Sequence, residues 1–145
     1  MPTRTAHTTW TGGLEDGTGM VTLASSGLGS YEINFPKRAA DDAGGTTSPE
    51  ELIAAAHAGC FAMQFSARLG AAGGSDQSLD VTADVTLGPD PAGGFRIRGI
   101  TLSVSGSAHG VSAEDFARIA AEAKASCPVS KALTGTDITL AVAGS

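Results

Sequence analysis

Apolar positions along the chain change period several times, and each change marks an element. In the first third the period is two. Over Arg4–Trp10, Ala6 and Trp10 fall on one face, with Thr5, His7 and Thr9 on the other. Met20–Leu23 and Tyr31–Phe35 read as further strands, the latter turning Tyr31, Ile33 and Phe35 inward. Gly12-Gly13 and Gly27–Gly29 supply the turns between them. Residues 36–47, PKRAADDAGGTT, break the alternation and are expected as a polar loop.

Helical periodicity then begins. Ser48 is the expected N-cap, Pro49 takes the first helical position, and Glu51 completes a capping box. This helix should run to about Leu69, where GAAGG ends it. Leu79–Leu87 alternates strictly, and after a GPDPAGG turn Phe95–Val104 is the next strand. Its inward frame jumps from Phe95 and Ile97 to Ile100, Leu102 and Val104, which predicts a bulge near Gly99. A second helix opens at Ser112, with Asp115 three residues on and Val111 and Phe116 as a hydrophobic staple. Phe116, Ile119, Ala120 and Ala123 form its apolar stripe. It ends near Ser126, Cys127-Pro128 starts a short helical turn, and Ile138, Leu140 and Val142 read as a last strand. The order βββ-α-ββ-α-α-β is that of an α+β domain with antiparallel β-sheets, a single domain over residues 1–145.

Charge narrows the partners. Nine Lys and Arg against fifteen Asp and Glu give a net charge of −6, and no basic run exceeds two residues. Nucleic acid and anionic membranes are therefore poor partners. Leu52–Ala67, the most apolar stretch, is too short to span a membrane and contains His57 and Gln64. The opening MPTRTAHTTW has no apolar core of a signal peptide, so a cytoplasmic location is expected. A permanent disulfide is seldom found there.

Two cysteines, Cys60 and Cys127, carry the candidate chemistry. Cys60 lies inside the alanine-rich helix SPEELIAAAHAGCF, where a free cysteine often serves as a small buried hydrophobe. A zinc site would need His57 and His109 beside both thiols, without any CxxC or HxxxH spacing. A redox role draws on Cys127 at a helix start, where free N–H groups favour a thiolate. Glu50 is left over once Glu51 caps the helix, and Lys37-Arg38 stands in the preceding loop. Each has a plain alternative: Glu50 suits the helix dipole, and the basic pair is an ordinary solvated one.

SPEELIAAAHAGCF followed by CPVSKAL resembles the OsmC/Ohr hydroperoxide reductases, in wording closer to the OsmC branch. The FPKRAADD loop, the DVTADVTL strand and the chain length fit as well. The resemblance implies that Cys60 attacks the peroxide, Cys127 resolves it as a disulfide, and Arg38 with Glu50 activates Cys60. It also implies an intertwined homodimer with a long central helix and shared active sites. Organic hydroperoxides would be preferred over hydrogen peroxide. The reductant would be an external dithiol of the lipoyl-bearing kind, with no haem, flavin or metal. Alternatives are a dimeric binding or structural protein with buried thiols, and a Cys/His metal-binding protein.

The chemistry asks for these residue types. Only a thiolate attacks the O–O bond, and a free cysteine with a pKa near ~8.5 is mostly protonated at neutral pH. Mid-helix, Cys60 gains little from the dipole and needs a fixed cation. Glu50 and Cys60 stand ten residues apart, or roughly 15 Å along one straight helix. A bent helix, or a crossing of two antiparallel copies at Ala54-Ala55-Ala56, would let both serve one thiolate. Phe35, Phe61, Met63 and Phe65 are candidates for an apolar substrate mouth or for core packing.

Overall fold

A β-meander opens the chain. The computed structural model describes residues 1–144, with strands β1 (His7–Thr11), β2 (Thr18–Thr22) and β3 (Ser30–Ile33) paired antiparallel in the order β1-β2-β3. Gly19 sits mid-strand because Trp10 crosses over it. A side chain there would meet Trp10 Cε3 at 2.8 Å and Ile33 Cγ1 at 3.0 Å. Trp10 Nε1 in turn donates to the Gly12 carbonyl at 3.0 Å. Tyr31, expected inward, is 42% exposed.

Phe35 does not extend the third strand. It opens a single helical turn, α1 (Phe35–Arg38), that runs into the stretch expected as loop. Asn34 is the reason: extended at φ −151°, it accepts from Lys37 N through Oδ1 at 2.9 Å. Pro36 then favours the helical φ. The element order is thus βββ-α-α-ββ-α-α-β, one short helix more than the sequence pattern gave.

Helix α2 (Pro49–Ala71) is continuous over 23 residues. Ser48 Oγ accepts from Glu51 N at 3.1 Å, as a cap should, while the Glu51 carboxylate takes the Thr47 hydroxyl at 2.8 Å. Its far end closes with Gly73 at φ +86°, Gly74 N bonded to Leu69 O at 2.8 Å, and Gly73 N to Gly70 O at 3.0 Å. That is a Schellman motif, and glycine supplies the left-handed residue it requires.

The chain forms two compact units that divide after Glu51. In the second, β4 (Ser75–Pro89) and β5 (Phe95–His109) make a long antiparallel hairpin. Thr86 pairs with Gly99 and Leu87 with Ile97, so Arg98 is the extra residue of the expected bulge. Helices α3 (Ala113–Ser126) and α4 (Pro128–Ala132) carry the chain back, and β6 (Ile138–Gly144) then joins β5 in parallel. This corrects the wholly antiparallel reading. Two intervening helices form a crossover, which a parallel neighbour needs, and alternation within one strand carries no direction.

The second unit holds the larger core. His57, Phe61, Phe65 and Leu69 recur every fourth residue on one face of α2, all with 0% exposure. Phe61, Phe65 and Leu69 join Leu102 and Val104 of β5 and the stripe Phe116, Ile119, Ala120 and Ala123 of α3 in one cluster. Phe65 packs edge-on against Phe116 with ring centroids 4.8 Å apart. Phe61 and Phe65 are therefore core residues and line no substrate mouth, whereas Met63 is 71% exposed.

Candidate active site

Pro128 sets the geometry at the second cysteine. A residue before proline is driven out of the helical region, so α3 ends and Cys127 turns extended at φ −62°, ψ 124°. It closes α3 through its N–H to Ala123 O at 2.8 Å. It opens α4 through its carbonyl, which accepts from Lys131 N at 3.0 Å. The turn leaves Cys127 Sγ, fully buried, 3.2 Å from Cys60 Sγ on α2. Both thiols are free. The gap exceeds the ~2.05 Å of a bonded pair.

One negative charge on this pair prefers Cys127. Burial raises the pKa of Cys60; the Val129 N–H opposes that, and the Cys127 sulfur adds to the rise. Burial acts on Cys127 in the same sense. It is outweighed by the Ser130 N–H, the Cys60 thiol, the Ser130 hydroxyl and the Val129 N–H, which together bring the pKa below its ordinary value. The two N–H groups act as dipoles on the sulfur, since Cys127 makes no close side-chain capping bond. Within one chain the two shifts thus run in opposite directions, up for Cys60 and down for Cys127.

Two further residues complete this cluster. His57 lies one helical turn before Cys60, and its Nε2 is 2.7 Å from Ser130 Oγ, both residues being buried. Burial lowers the pKa of His57, so the ring is held neutral. Ser130 was not singled out in the sequence, yet its offset of three after Cys127 mirrors that of His57 before Cys60. The zinc set of Cys60, Cys127, His57 and His109 does not assemble. Among the described residues no group of three or more His, Cys, Asp and Glu side chains is placed to hold a metal.

Arg38 and Glu50 form their own pair in the first unit. Arg38 Nη2 donates to Glu50 Oε1 at 2.8 Å and Nε to Oε2 at 3.1 Å, a two-pronged contact suited to guanidinium and carboxylate. Glu50, in the first turn of α2, is nearly buried, while about a third of the Arg38 side chain is exposed. Beside it lies a cavity of about 220 Å³ whose walls are mostly apolar, among them Trp10, Leu14, Ile33, Phe35 and Pro49. Phe35, one of the residues considered for a substrate mouth, does line an apolar opening here.

Comparison with known proteins agrees across the chain. Residues 41–142 match the family model for OsmC-like proteins. Peroxiredoxin OsmC of Escherichia coli (strain K12) is 43% identical over 131 residues, 90% of this chain and 89% of that one. The organic hydroperoxide resistance protein OhrB of Bacillus subtilis superposes with a TM-score of 0.75 at 30% identity, over 96% of this chain and 98% of its own. An organic hydroperoxide resistance protein OsmC from Legionella pneumophila gives a TM-score of 0.74 at 27% identity, over 99% of each chain. The chain belongs to the OsmC-like family.

Proposed function

We propose that this protein reduces organic hydroperoxides to alcohols through Cys60, with Cys127 as resolving thiol and an external dithiol as reductant. At the coarser level it is a peroxidase-type enzyme with a redox function directed at hydroperoxides, as its OsmC and organic-hydroperoxide-resistance relatives are named. The observation that carries the finer reading is the 3.2 Å separation of two free sulfurs.

In the cycle, the Cys60 thiolate attacks the peroxide, forming an S–O bond as the O–O bond breaks. The alkoxide leaves and takes a proton to become the alcohol, and Cys60 remains as sulfenic acid. Cys127 then displaces hydroxide from that sulfur to give the disulfide. A dithiol, of the lipoyl kind or similar, reduces it by exchange. The proposed setting is the cytoplasm, where such a disulfide is transient and catalytic.

The first step needs the negative charge on Cys60, against the preference within one chain for Cys127. A guanidinium about 4 Å away, at an effective dielectric near 20, is worth about 4 kcal/mol, or about three pKa units. That is enough to move the charge. Arg38, gripped by Glu50, is the cation proposed, delivered by a second copy of the chain. Two features support delivery in a homodimer. Glu50 and Cys60 are ten residues apart on one continuous helix. The same helix also leaves Ala55, Ala56, Gly59 and Ala67 exposed, small residues that let a second helix approach, with the apolar Met63 beside them.

Turnover of cumene hydroperoxide and of hydrogen peroxide with a dithiol tests the reading. Cys60→Ser should lose essentially all activity, and Cys127→Ser should consume about one equivalent and stop at modified Cys60. Peroxide loss at the wild-type rate in Cys60→Ser would refute the assignment.

A further inference from the structure

The buried His57–Ser130 contact is not used in that cycle. It joins α2 to α4, two residues 73 positions apart in sequence, and it sits one helical turn from each sulfur. Of the two ring nitrogens, Nε2 faces Ser130 Oγ at 2.7 Å, while Nδ1 is buried with no hydrogen-bond partner among the described residues.

That unpaired nitrogen decides where the proton is. The ring is neutral, so it carries one N–H. A buried N–H without an acceptor is rarer and costlier than a buried lone pair without a donor. The hydrogen therefore belongs on Nε2, which donates to Ser130 Oγ. A serine hydroxyl has one hydrogen to give, and with its oxygen accepting from His57 that hydrogen points elsewhere. The buried Cys127 sulfur heads the same helical turn, three residues earlier, and the Ser130 side chain is among the groups that favour its thiolate.

We propose that His57 and Ser130 are positioning residues for disulfide closure: His57 Nε2–H holds Ser130 so that its hydroxyl donates to Cys127 Sγ and favours the thiolate that attacks once Cys60 has become a sulfenic acid. The inference rests on the reading of Cys127 as the resolving thiol. In the step concerned, the Cys127 thiolate forms the S–S bond with the Cys60 sulfenic sulfur. The S–O bond breaks, and the departing hydroxide takes a proton from solvent. Ser130 keeps its own hydrogen throughout. The groups facing Cys127 Sγ are Cys60 from α2 and Ser130 from α4, with His57 behind Ser130. Reduction of the disulfide gains from the same contact, since Cys127 leaves as an anion.

The test compares Ser130→Ala, Ser130→Thr, His57→Phe and His57→Gln in quenched-flow reaction with one equivalent of cumene hydroperoxide. Cys60 sulfenic acid is trapped by dimedone and disulfide is counted by mass spectrometry. Ser130→Ala and His57→Phe should slow closure about tenfold relative to first-turnover peroxide loss, the scale of one lost hydrogen bond to a charged group. Threonine keeps the hydroxyl and glutamine can supply an N–H, so those variants should close nearly as fast as the parent. In a Cys60→Ser background, where no peroxide chemistry is needed, Ser130→Ala should also raise the pH at which Cys127 ionises, read from thiolate absorbance. Closure in Ser130→Ala at the parent's rate, or an unmoved Cys127 titration, would overturn the inference while leaving the peroxidase reading intact. Peroxide loss that does not depend on Cys60 would overturn both.

Discussion

At the scale of single residues, the account turns on where one charge sits between two sulfurs 3.2 Å apart. Removing the cation should return it to Cys127. Arg38→Gln is expected to slow peroxide attack by on the order of a hundredfold to a thousandfold, the range spanned by about three pKa units. Second-order rates of Cys60 oxidation measure this, and a change under threefold would exclude Arg38 as the activating cation. His57 gives a prediction with a definite sign. Burial lowers its pKa in the folded state, so below the unfolded value of about 6.5 the unfolded chain binds the extra proton first. The stabilisation from keeping this ring neutral is complete above that pH and is lost as pH falls through the folded value. Urea midpoints taken between about pH 7 and pH 5 should fall more steeply for the parent than for His57→Gln. Equal slopes would mean that His57 does not drive the acid sensitivity.

At the scale of elements, α2 carries both the largest apolar face and one of the two sulfurs. Phe65→Ala removes a ring packed against Phe61 and Phe116 and should cost about 3–5 kcal/mol by chemical denaturation. Ser48→Ala, which loses only the cap bond to Glu51 N, should cost about 1 kcal/mol. Much of this level was legible in the chain. The stripe of α3, the cap at Ser112 and the bulge at Arg98 follow from local period and local hydrogen bonding. What escaped was decided by few residues or by distant ones. One turn of α1 hangs on Asn34 and Pro36 and leaves no periodic trace. The direction of β6 depends on how far α3 and α4 carry the chain, which strand alternation does not encode. At the site, both cysteines could be singled out because thiols are reactive, whereas the joining of Arg38 to Glu50 came from the family resemblance. Ser130 could not, because an ordinary serine gains meaning only from His57, 73 positions away.

At the scale of the whole molecule, the proposal needs two chains. Glu50 and Cys60 lie ten residues apart on one unbroken helix, whose exposed face runs through Ala55, Gly59 and Met63. Mixed dimers of a Cys60→Ser chain with a Glu50→Ala chain should regain about half the wild-type sites per dimer. Each mixed dimer then has one complete site, and intact mixed dimers without activity would rule out sharing. Met63→Glu should drive the protein toward monomer in sedimentation, because a charge on that face would be desolvated in the pair. Beneath these tests stands the claim that the two thiols make and break a bond with each turnover. Non-reducing peptide mass spectrometry after less than one equivalent of cumene hydroperoxide reads that bond. The account predicts a Cys60–Cys127 linkage that forms in proportion to the peroxide consumed and disappears with dithiol. Peroxide consumed with both cysteines still reduced, or with either one linked elsewhere, would contradict it.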